Sequence, residues 1–313
     1  MYAFVFPGQG SQKVGVGSLL YQAFPCAKDV FDEVDEALKQ NLSQIIFSGS
    51  ESDLKQTQNT QPALMAVSMA VLRVLEVEGR LDLKQMSHCV AGHSLGEYSA
   101  LTAARVLSLA NTAKLLRIRG NAMRSAAPEG TGAMAAILGL ETDVVADITK
   151  KAQQELGNEV CVIANDNSPG QIVISGHKAA VERAMELAKS RGCKRALLLP
   201  VSGPFHSPLM QPAADVMQDA LEQVEFAKPL VSVVCNVTAK TETEPARLKE
   251  NLVTQITGQV RWRESIQNLD VQHIIELGAG KVLTGLNKRI NPNLTVLSIE
   301  TPTDIEIFLK EAA

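Results

Sequence analysis

The chain has 313 residues, of which 45 % are hydrophobic and 20 % are charged. This composition is typical of a soluble globular protein, and the length suits one large domain with or without a smaller one. The formal net charge is −4 and only 4 % of the residues are aromatic, so the basic, stacking surface that nucleic-acid binding needs is not expected. A small anionic substrate would need a local positive charge on this acidic chain.

The N-terminal part of the chain alternates between predicted strands and helices. The first apolar run, Tyr2–Phe6, has no basic region before it, which indicates a first strand and not a signal peptide. No apolar run is long enough to predict a membrane span. The predicted elements that follow are a helix over Pro62–Glu78 with Pro62 in its first turn, a strand over Ser87–Ala91, and helices over Glu97–Ala104 and Leu109–Ala126.

In the middle of the chain the predicted elements follow a different order, β-α-β-β-α-β. The predicted strands are Gly132–Leu140, Glu159–Ala164, Gln171–Ser175 and Lys194–Leu199, and the predicted helices are Thr142–Leu156 and Ala179–Arg191. This order is typical of a ferredoxin-like unit. The α/β alternation then resumes, with a helix after His206, strands at Val231–Val234 and His273–Leu277, and a helix after Gly280.

These patterns predict an α/β fold made of two domains. The main domain, residues 1–129 and 200–313, is expected to be hydrolase-like with a parallel sheet. The small domain, residues 130–199, is expected to be a ferredoxin-like insertion. Five scattered cysteines form no C-x-x-C pair, so neither a disulfide framework nor a zinc site is expected, and a cytoplasmic location is predicted.

The segment GHSLGEYSA contains the pattern G-x-S-x-G around Ser94. It falls between a predicted strand and a predicted helix, which is the context of a nucleophile elbow. A serine hydroxyl is a weak nucleophile that needs a base and donors for the oxyanion, and the amide of Leu95 would be one donor. The alternative is that Ser94 only caps the following helix.

The base would come from one of five histidines: His88, His93, His177, His206 and His273. His206 is favoured because it lies in a proline-rich loop where the chain re-enters the main domain, and such loops commonly line a cleft. A structural histidine is the alternative. No acidic residue adjoins His206 in sequence, so a backbone carbonyl stays possible as the group that orients it.

Arg119 lies on the apolar face of the predicted helix Leu109–Ala126, whereas the other polar residues of this helix form a solvated face: Lys114, Arg117, Asn121 and Arg124. A guanidinium on an apolar face is costly unless it is paired. Arg119 therefore either pairs with an internal acid or binds a ligand carboxylate. The residues alone favour the internal pair, and a nearby nucleophile favours a carboxylated acyl substrate.

Two glycine-rich segments do not satisfy nucleotide-binding fingerprints. Gly278–Val282 lacks the first glycine and the Ser/Thr of a phosphate loop, and Gly8–Gly10 lacks the third glycine of a dinucleotide site. No bound cofactor and no metal are expected.

Six motifs occur in order along the chain: FPGQGSQ near the N-terminus, GHSLGEYSA, RG-x-x-M at Arg119–Met123, NSPGQ-x-V-x-SG at Asn167–Gly176, GPFHSPLM at Gly203–Met210, and GAGKVLTGL at Gly278–Leu286. In this combination the chain resembles the malonyl-CoA:acyl carrier protein transacylases of type II fatty acid synthesis over nearly its whole length. The resemblance implies transfer of a malonyl group from malonyl-CoA to the phosphopantetheine thiol of holo acyl carrier protein.

The resemblance also implies roles for individual residues. Ser94 would be the acyl-accepting nucleophile, His206 its general base and Arg119 the clamp for the malonyl carboxylate. The backbone amides of Gln9 and Leu95 would form the oxyanion hole.

Three further residues are assigned to substrate binding by the same resemblance. The backbone carbonyl of Arg261 would orient the histidine. Phe205 resembles the malonyl-selecting form of its motif, since a bulky ring limits room for an α-methyl group. Asn167 opens the fourth motif.

The expected mechanism is ping-pong through a malonyl-serine, without a membrane or nucleic-acid partner. The alternatives are a discrete acyltransferase of polyketide synthesis, a serine thioesterase or other hydrolase, and a carrier-binding module with a vestigial site. The hydrolases share G-x-S-x-G but have no need of a buried Arg119.

Overall fold

The computed structural model describes residues 2–157 and 159–312 and contains two β-sheets. The strands are β1 Tyr2–Phe6, β2 Ser87–Gly92, β3 Gly132–Leu138, β4 Cys161–Ser168, β5 Gln171–His177, β6 Arg195–Leu198, β7 Ser232–Cys235, β8 Lys240–Glu242, β9 His273–Leu277 and β10 Thr295–Ile299. The helices are α1 Ser18–Ala23, α2 Pro25–Leu38, α3 Leu42–Ser48, α4 Glu51–Lys55, α5 Thr57–Val77, α6 Leu83–Met86, α7 Leu95–Ala103, α8 Leu109–Ser125, α9 Thr142–Glu155, α10 Lys178–Ser190, α11 Gln211–Glu222, α12 Pro245–Thr257, α13 Trp262–Gln267, α14 Val282–Ile290 and α15 Pro302–Ala312.

The larger sheet has six strands in the order β10-β9-β1-β2-β7-β8. The first five strands of this order run parallel, and only β8 pairs antiparallel to its neighbour. Its central strands are almost entirely apolar and buried, as expected for a sheet that is covered on both faces. Because β1 and β2 are parallel, the loops that follow them leave the sheet at the same edge.

The smaller sheet has four antiparallel strands in the order β4-β5-β3-β6. Helices α9 and α10 pack on it and enclose a separate hydrophobic core that includes Ile137, Val145 and Ile174. The prediction of an α/β fold with a parallel sheet is confirmed, and the predicted strands and helices lie within a few residues of those observed. The main local difference is at residues 165–168, which lie beyond the predicted strand Glu159–Ala164 and extend β4.

Helix α5 begins earlier than predicted. The prediction placed Pro62 in the first turn, but the helix starts at Thr57 and Pro62 lies inside it. Five residues of mostly polar character, TQNTQ, precede the proline and hid the helix start in the sequence. The helix is long and apolar enough to cross a membrane by composition alone, but 83 % of its most apolar window is buried within the protein. It therefore serves as a core helix.

The two sheets are joined where β4 meets the chain just before α13. The amide of Asp166 donates to the carbonyl of Val260 at 3.0 Å, and the amide of Val260 donates to the carbonyl of Ala164 at 2.8 Å. The guanidinium of Arg263 adds an ion pair with the Asp166 carboxylate at 2.8 Å. These contacts hold the small sheet against the edge of the large one from which the loops after β1 and β2 emerge.

Candidate active site

Ser94 lies in the sharp turn between β2 and α7, with φ 54° and ψ −109°. This backbone conformation is strained for a residue with a side chain. A Cβ on Gly92 would lie 1.9 Å from the carbonyl of Gly96, and a Cβ on Gly96 would lie 2.3 Å from the carbonyl oxygen of Phe6. Only glycine fits at both positions, so the pattern G-x-S-x-G follows from close packing of the turn against β1.

His206 lies beside this turn and contacts the serine directly. Its Nε2 is 2.8 Å from Ser94 Oγ, and its Nδ1 is 2.8 Å from the carbonyl oxygen of Gln255. Since a carbonyl only accepts, Nδ1 carries the proton and Nε2 accepts the hydrogen bond from the serine. Burial and the nearby Arg119 guanidinium lower the pKa of His206 to about 3. The imidazole is therefore neutral at physiological pH, as a general base must be.

The prediction that the carbonyl of Arg261 orients the histidine is wrong. The carbonyl that contacts His206 belongs to Gln255, in the last turn of α12. Carbonyls in a last turn have no partner within their helix, which leaves this one free to accept from the imidazole. Arg261 instead donates to Glu264 at 2.7 Å and to the carbonyl of Val237 at 3.2 Å.

Arg119 is 1 % exposed and points at the serine. It donates to Gln61 Oε1 at 2.8 Å, to Gln255 Oε1 at 2.8 Å and to Ser94 Oγ at 3.1 Å. Burial lowers its pKa, but an arginine stays protonated. No acidic side chain within residues 2–157 and 159–312 forms an ion pair with it, so the internal pair that the residues alone favoured is not formed.

A buried guanidinium without a counter-ion is a site for an anionic ligand. The Arg119 guanidinium lies 5.5 Å from the centre of the Tyr98 ring, and its Nε has no hydrogen-bond partner within the described part of the chain. The aromatic face and the two amide oxygens hold the cation without neutralising it.

Gln255 connects the three predicted residues, and the sequence analysis did not find it. Its side chain is fully buried. Beyond its bond from Arg119, its Nε2 donates to the Ser94 carbonyl at 3.0 Å and to Glu97 Oε2 at 2.6 Å. Gln255 lies outside every motif, and no local pattern marks a glutamine that is remote in sequence from its partners.

Two further buried residues support the turn from behind. Asn236 accepts a hydrogen bond from the Ser94 amide at 2.7 Å and donates to the Gly92 carbonyl at 2.7 Å. Glu97 accepts from the Asn236 amide at 3.1 Å, and burial raises the pKa of this carboxyl to about 7. Asn236 thus satisfies backbone groups that the strained turn leaves without partners, and Glu97 holds Asn236 and Gln255 in position.

Gln9 and Leu95 line the same cleft as Ser94. Leu95 is the first residue of α7, so its N–H has no acceptor within the helix and lies at the positive end of the helix dipole. Within the described part of the chain, neither amide donates to another group. Both are therefore available to a developing oxyanion.

The cleft in front of Ser94 has a volume of about 110 Å³, far below the roughly 300–1,000 Å³ of typical ligand pockets. Phe205 is 6 % exposed and forms part of its wall, together with Met134 of β3. A short acyl group fits this space. A larger cavity, about 590 Å³, lies elsewhere, beside the Arg105–Glu76 ion pair, and neither Ser94 nor His206 lines it.

Asn167 does not line the cleft. Its Oδ1 is 2.8 Å from Nε2 of His93, and the His93 ring lies 5.6 Å from the ring of Trp262. Asn165, also on β4, lines the cleft instead. Asn167 therefore supports the residue before the nucleophile. Within residues 2–157 and 159–312, no cluster of three or more His, Cys, Asp or Glu side chains could hold a metal ion.

The chain is similar to known proteins over nearly its whole length. Residues 3–280 match the family described as acyl transferase domain. The malonyl CoA-acyl carrier protein transacylase of Bacillus subtilis is 46 % identical over 311 residues, which cover 98 % of this chain and 96 % of the relative. The chain belongs to the malonyl CoA-acyl carrier protein transacylases.

Solved structures of this transacylase family have the same fold. The acyl-carrier-protein-S-malonyltransferase of Bartonella henselae superposes with a TM-score of 0.96 at 52 % identity, covering 99 % of this chain and 98 % of that one. A malonyl-transacylase in complex with a holo type II PKS acyl-carrier protein superposes with a TM-score of 0.94 at 40 % identity, covering 99 % of both chains.

Proposed function

We propose that this protein transfers the malonyl group from malonyl-CoA to the phosphopantetheine thiol of holo acyl carrier protein, in fatty acid biosynthesis. The observation that carries the proposal is the buried Arg119 guanidinium, which has no acidic partner in the described chain and lies 3.1 Å from Ser94 Oγ. A carboxylate on the acyl group supplies the missing counter-ion. The names of the transacylase relatives support the same substrates.

In the first half-reaction, Ser94 Oγ attacks the thioester carbonyl while His206 Nε2 accepts its proton. The amides of Gln9 and Leu95 donate to the oxyanion as it forms. The bond between the carbonyl carbon and sulfur then breaks, and the imidazolium returns its proton to the CoA thiolate. A malonyl ester of Ser94 remains, with its carboxylate on Arg119.

In the second half-reaction, the thiol of the carrier protein replaces that of CoA. His206 accepts the thiol proton, the sulfur attacks the ester carbonyl, and Ser94 leaves and regains the proton. A bound malonyl carboxylate also neutralises Arg119, which is one cause of the low pKa of His206. Substrate binding therefore raises this pKa and strengthens the base.

We further propose a division into two domains, which the presence of two separate sheets supports. Residues 1–129 and 200–313 form the hydrolase-like main domain, and residues 130–199 form an inserted ferredoxin-like domain. The strand order β4-β5-β3-β6 supports the second assignment. The small domain contributes Met134 and Asn165 to the cleft wall, which helps exclude water from the ester. A cytoplasmic location agrees with these substrates.

An exchange experiment tests the proposed function. A ping-pong enzyme exchanges labelled CoA into malonyl-CoA without any carrier protein, whereas a thioesterase releases malonate instead. We expect exchange in the wild type and its loss in Ser94→Ala. Ser99→Ala is a matched control in the same motif, because its buried hydroxyl has no hydrogen-bond partner in the described chain.

The acceptor distinguishes fatty acid from polyketide synthesis. Carrier proteins of both kinds are offered to the malonyl-enzyme, and the fatty acid carrier is expected to react with the higher kcat/KM. A higher kcat/KM for a polyketide carrier would assign the enzyme to polyketide synthesis. This alternative is considered because one structural relative is a malonyl-transacylase in complex with a type II PKS acyl-carrier protein.

A further inference from the structure

A second cavity adjoins the catalytic cleft. It has a volume of about 290 Å³ and shares Gln9 and Val201 with the cleft. Its lining includes Thr57 and Ser202, whose hydroxyl oxygens are 3.1 Å apart. We call it the mouth cavity. The residues shared with the cleft place the two cavities side by side.

The mouth cavity is lined by two cations, Lys55 and Arg124, and by no acidic side chain. Within residues 2–157 and 159–312, Arg124 forms neither an ion pair nor a hydrogen bond, and it is exposed to the cavity. Lys55 Nζ pairs with Glu51 at 2.5 Å, one turn earlier on the short helix α4. Arg124 is therefore the main source of free positive charge in this cavity, in a protein whose net charge is −4.

Arg124 and Arg119 lie on the same helix, α8, five positions apart. This spacing corresponds to about 7.5 Å along the axis and roughly 140° around it. Arg119 therefore points inward to the serine, while Arg124 points into the mouth cavity. One helix therefore presents two guanidinium groups, in different directions, to two adjoining cavities.

We propose that the mouth cavity binds the phosphate of the phosphopantetheine arm, with Arg124 as the main contact and Lys55 as the second. This inference rests on the proposed function. The arm carries its thiol at one end and a phosphate at the other, and this chemistry is common to CoA and holo carrier protein. A guanidinium binds such a phosphate through paired, charge-assisted hydrogen bonds.

The phosphate is remote from the reacting carbonyl, so its contacts are the same in the ground and transition states. Loss of such a contact raises KM and leaves kcat unchanged. A hydrogen bond between a guanidinium and a phosphate is charge-assisted and is stronger than one between neutral groups. Removing it therefore raises the KM for a phosphorylated donor by roughly tenfold or more.

The test compares three malonyl donors: malonyl-CoA, malonyl-4′-phosphopantetheine and malonyl-pantetheine, which lacks the phosphate. The variants are Arg124→Gln and Lys55→Gln, with Lys114→Gln as a control on the exposed face of α8. We expect Arg124→Gln to raise KM for the two phosphorylated donors and for holo carrier protein as acceptor, with kcat unchanged. Malonyl-pantetheine and the control variant should show no change.

Three results would overturn the inference. Arg124→Gln could leave malonyl-CoA unaffected, could impair malonyl-pantetheine equally, or could impair only malonyl-CoA, which would assign the contact to the nucleotide phosphates. If the wild type is acylated by no donor, the proposed function fails. In that case, titration calorimetry tests the phosphate subsite separately. If the subsite exists, CoA and 4′-phosphopantetheine both bind more weakly to Arg124→Gln than to the control variant.

Discussion

Ser94 and His206 both have positive φ values, 54° and 56°, although neither is a glycine. Such conformations cost of order 1–3 kcal/mol each and persist only when the surroundings impose them. Here Asn236 binds the amide of Ser94, and Gln255 binds both its carbonyl and the His206 ring. The strain places a hydroxyl and an imidazole 2.8 Å apart before any substrate arrives.

Replacement of Arg119 tests the carboxylate clamp at the residue scale. We expect Arg119→Ala to lower kcat/KM for malonyl-CoA by roughly a hundredfold or more, because a buried bidentate partner is lost. Acylation by acetyl-CoA, which has no carboxylate, should not fall. The control is Lys114→Ala on the exposed face of α8. An equal loss with both donors would show that Arg119 acts on Ser94 rather than on the acyl group.

The pH dependence of acylation tests the state of His206. Burial and Arg119 lower the pKa of His206 to about 3, so the neutral base persists as the pH falls through ~6.5, where a free histidine is half protonated. We expect kcat/KM for Ser94 acylation, which reports the ionisation of the free enzyme, to show no decline with a midpoint near 6.5. Burial raises the pKa of Glu97 to about 7. If the pH profile of acylation has an inflection near pH 7 that disappears in Glu97→Gln, the inflection is assigned to Glu97. A midpoint near 6.5 that persists in Glu97→Gln would contradict the assignment.

The lowered pKa of His206 also makes the stability of the fold depend on pH. Between pH ~3 and ~6.5, the unfolded state binds a proton at residue 206 that the folded state does not bind. The contribution of His206 to the free energy of unfolding is therefore present above pH ~6.5 and is lost progressively as the pH falls. Urea denaturation over this pH range measures the free energy of unfolding of the wild type and of His206→Gln. The difference between the two free energies should become smaller towards acid pH.

At the scale of elements, the sequence predicted most of the framework because its signals are local. Strand, glycine turn and helix around Ser94 follow one another within GHSLGEYSA, and periodicity placed Arg119 on the inner face of α8. The start of α5 was missed because tertiary burial, rather than capping, stabilises its first polar turn. The roles of Gln255 and Asn236 could not be predicted, since their partners at Ser94 lie 161 and 142 positions away.

Glycine replacement tests why the turn has its sequence. A Cβ on Gly96 would approach the carbonyl oxygen of Phe6 to 2.3 Å, and neither backbone can move without displacing β1 or α7. We expect Gly96→Ala to lower the free energy of unfolding by about 1–3 kcal/mol. Gly285→Ala is the control, because its nearest neighbour is an arginine side-chain atom at 3.9 Å.

Urea denaturation of the two glycine variants provides the measurement. Gly285→Ala in α14 should be neutral or stabilising by up to about 1 kcal/mol, since alanine has a higher helix propensity than glycine. Equal midpoints for Gly96→Ala and the wild type would show that the turn does not require glycine there.

At the scale of the whole molecule, the cleft exists only because two units meet. The nucleophile and base belong to segments around the six-stranded sheet, while Met134 and Asn165 come from the four-stranded one. Composition and element order predicted two units, but the strand pairing of β4 with Val260 is a contact between remote segments. No local pattern specifies such a contact.

The Arg263–Asp166 pair provides a test of this junction. Asp166 is 8 % exposed, so Arg263→Met leaves a buried carboxylate without its cation. We expect a loss of about 1–3 kcal/mol in the free energy of unfolding. Arg183→Met is the control, because Arg183 is 39 % exposed and pairs with Glu155 on the surface, where solvent screening leaves an ion pair with little effect on stability. Losses of equal size in the two variants would argue against a structural role for the junction pair.

The covalent malonyl-enzyme is the most direct measure of the central claim. Intact-mass spectrometry after mixing with malonyl-CoA, without carrier protein, should show one added malonyl group, and peptide mapping should place it on Ser94. The group should be absent from Ser94→Ala and present on Ser99→Ala. Malonylation that persists in Ser94→Ala, or a wild type that hydrolyses malonyl-CoA without ever carrying the group, would contradict the account.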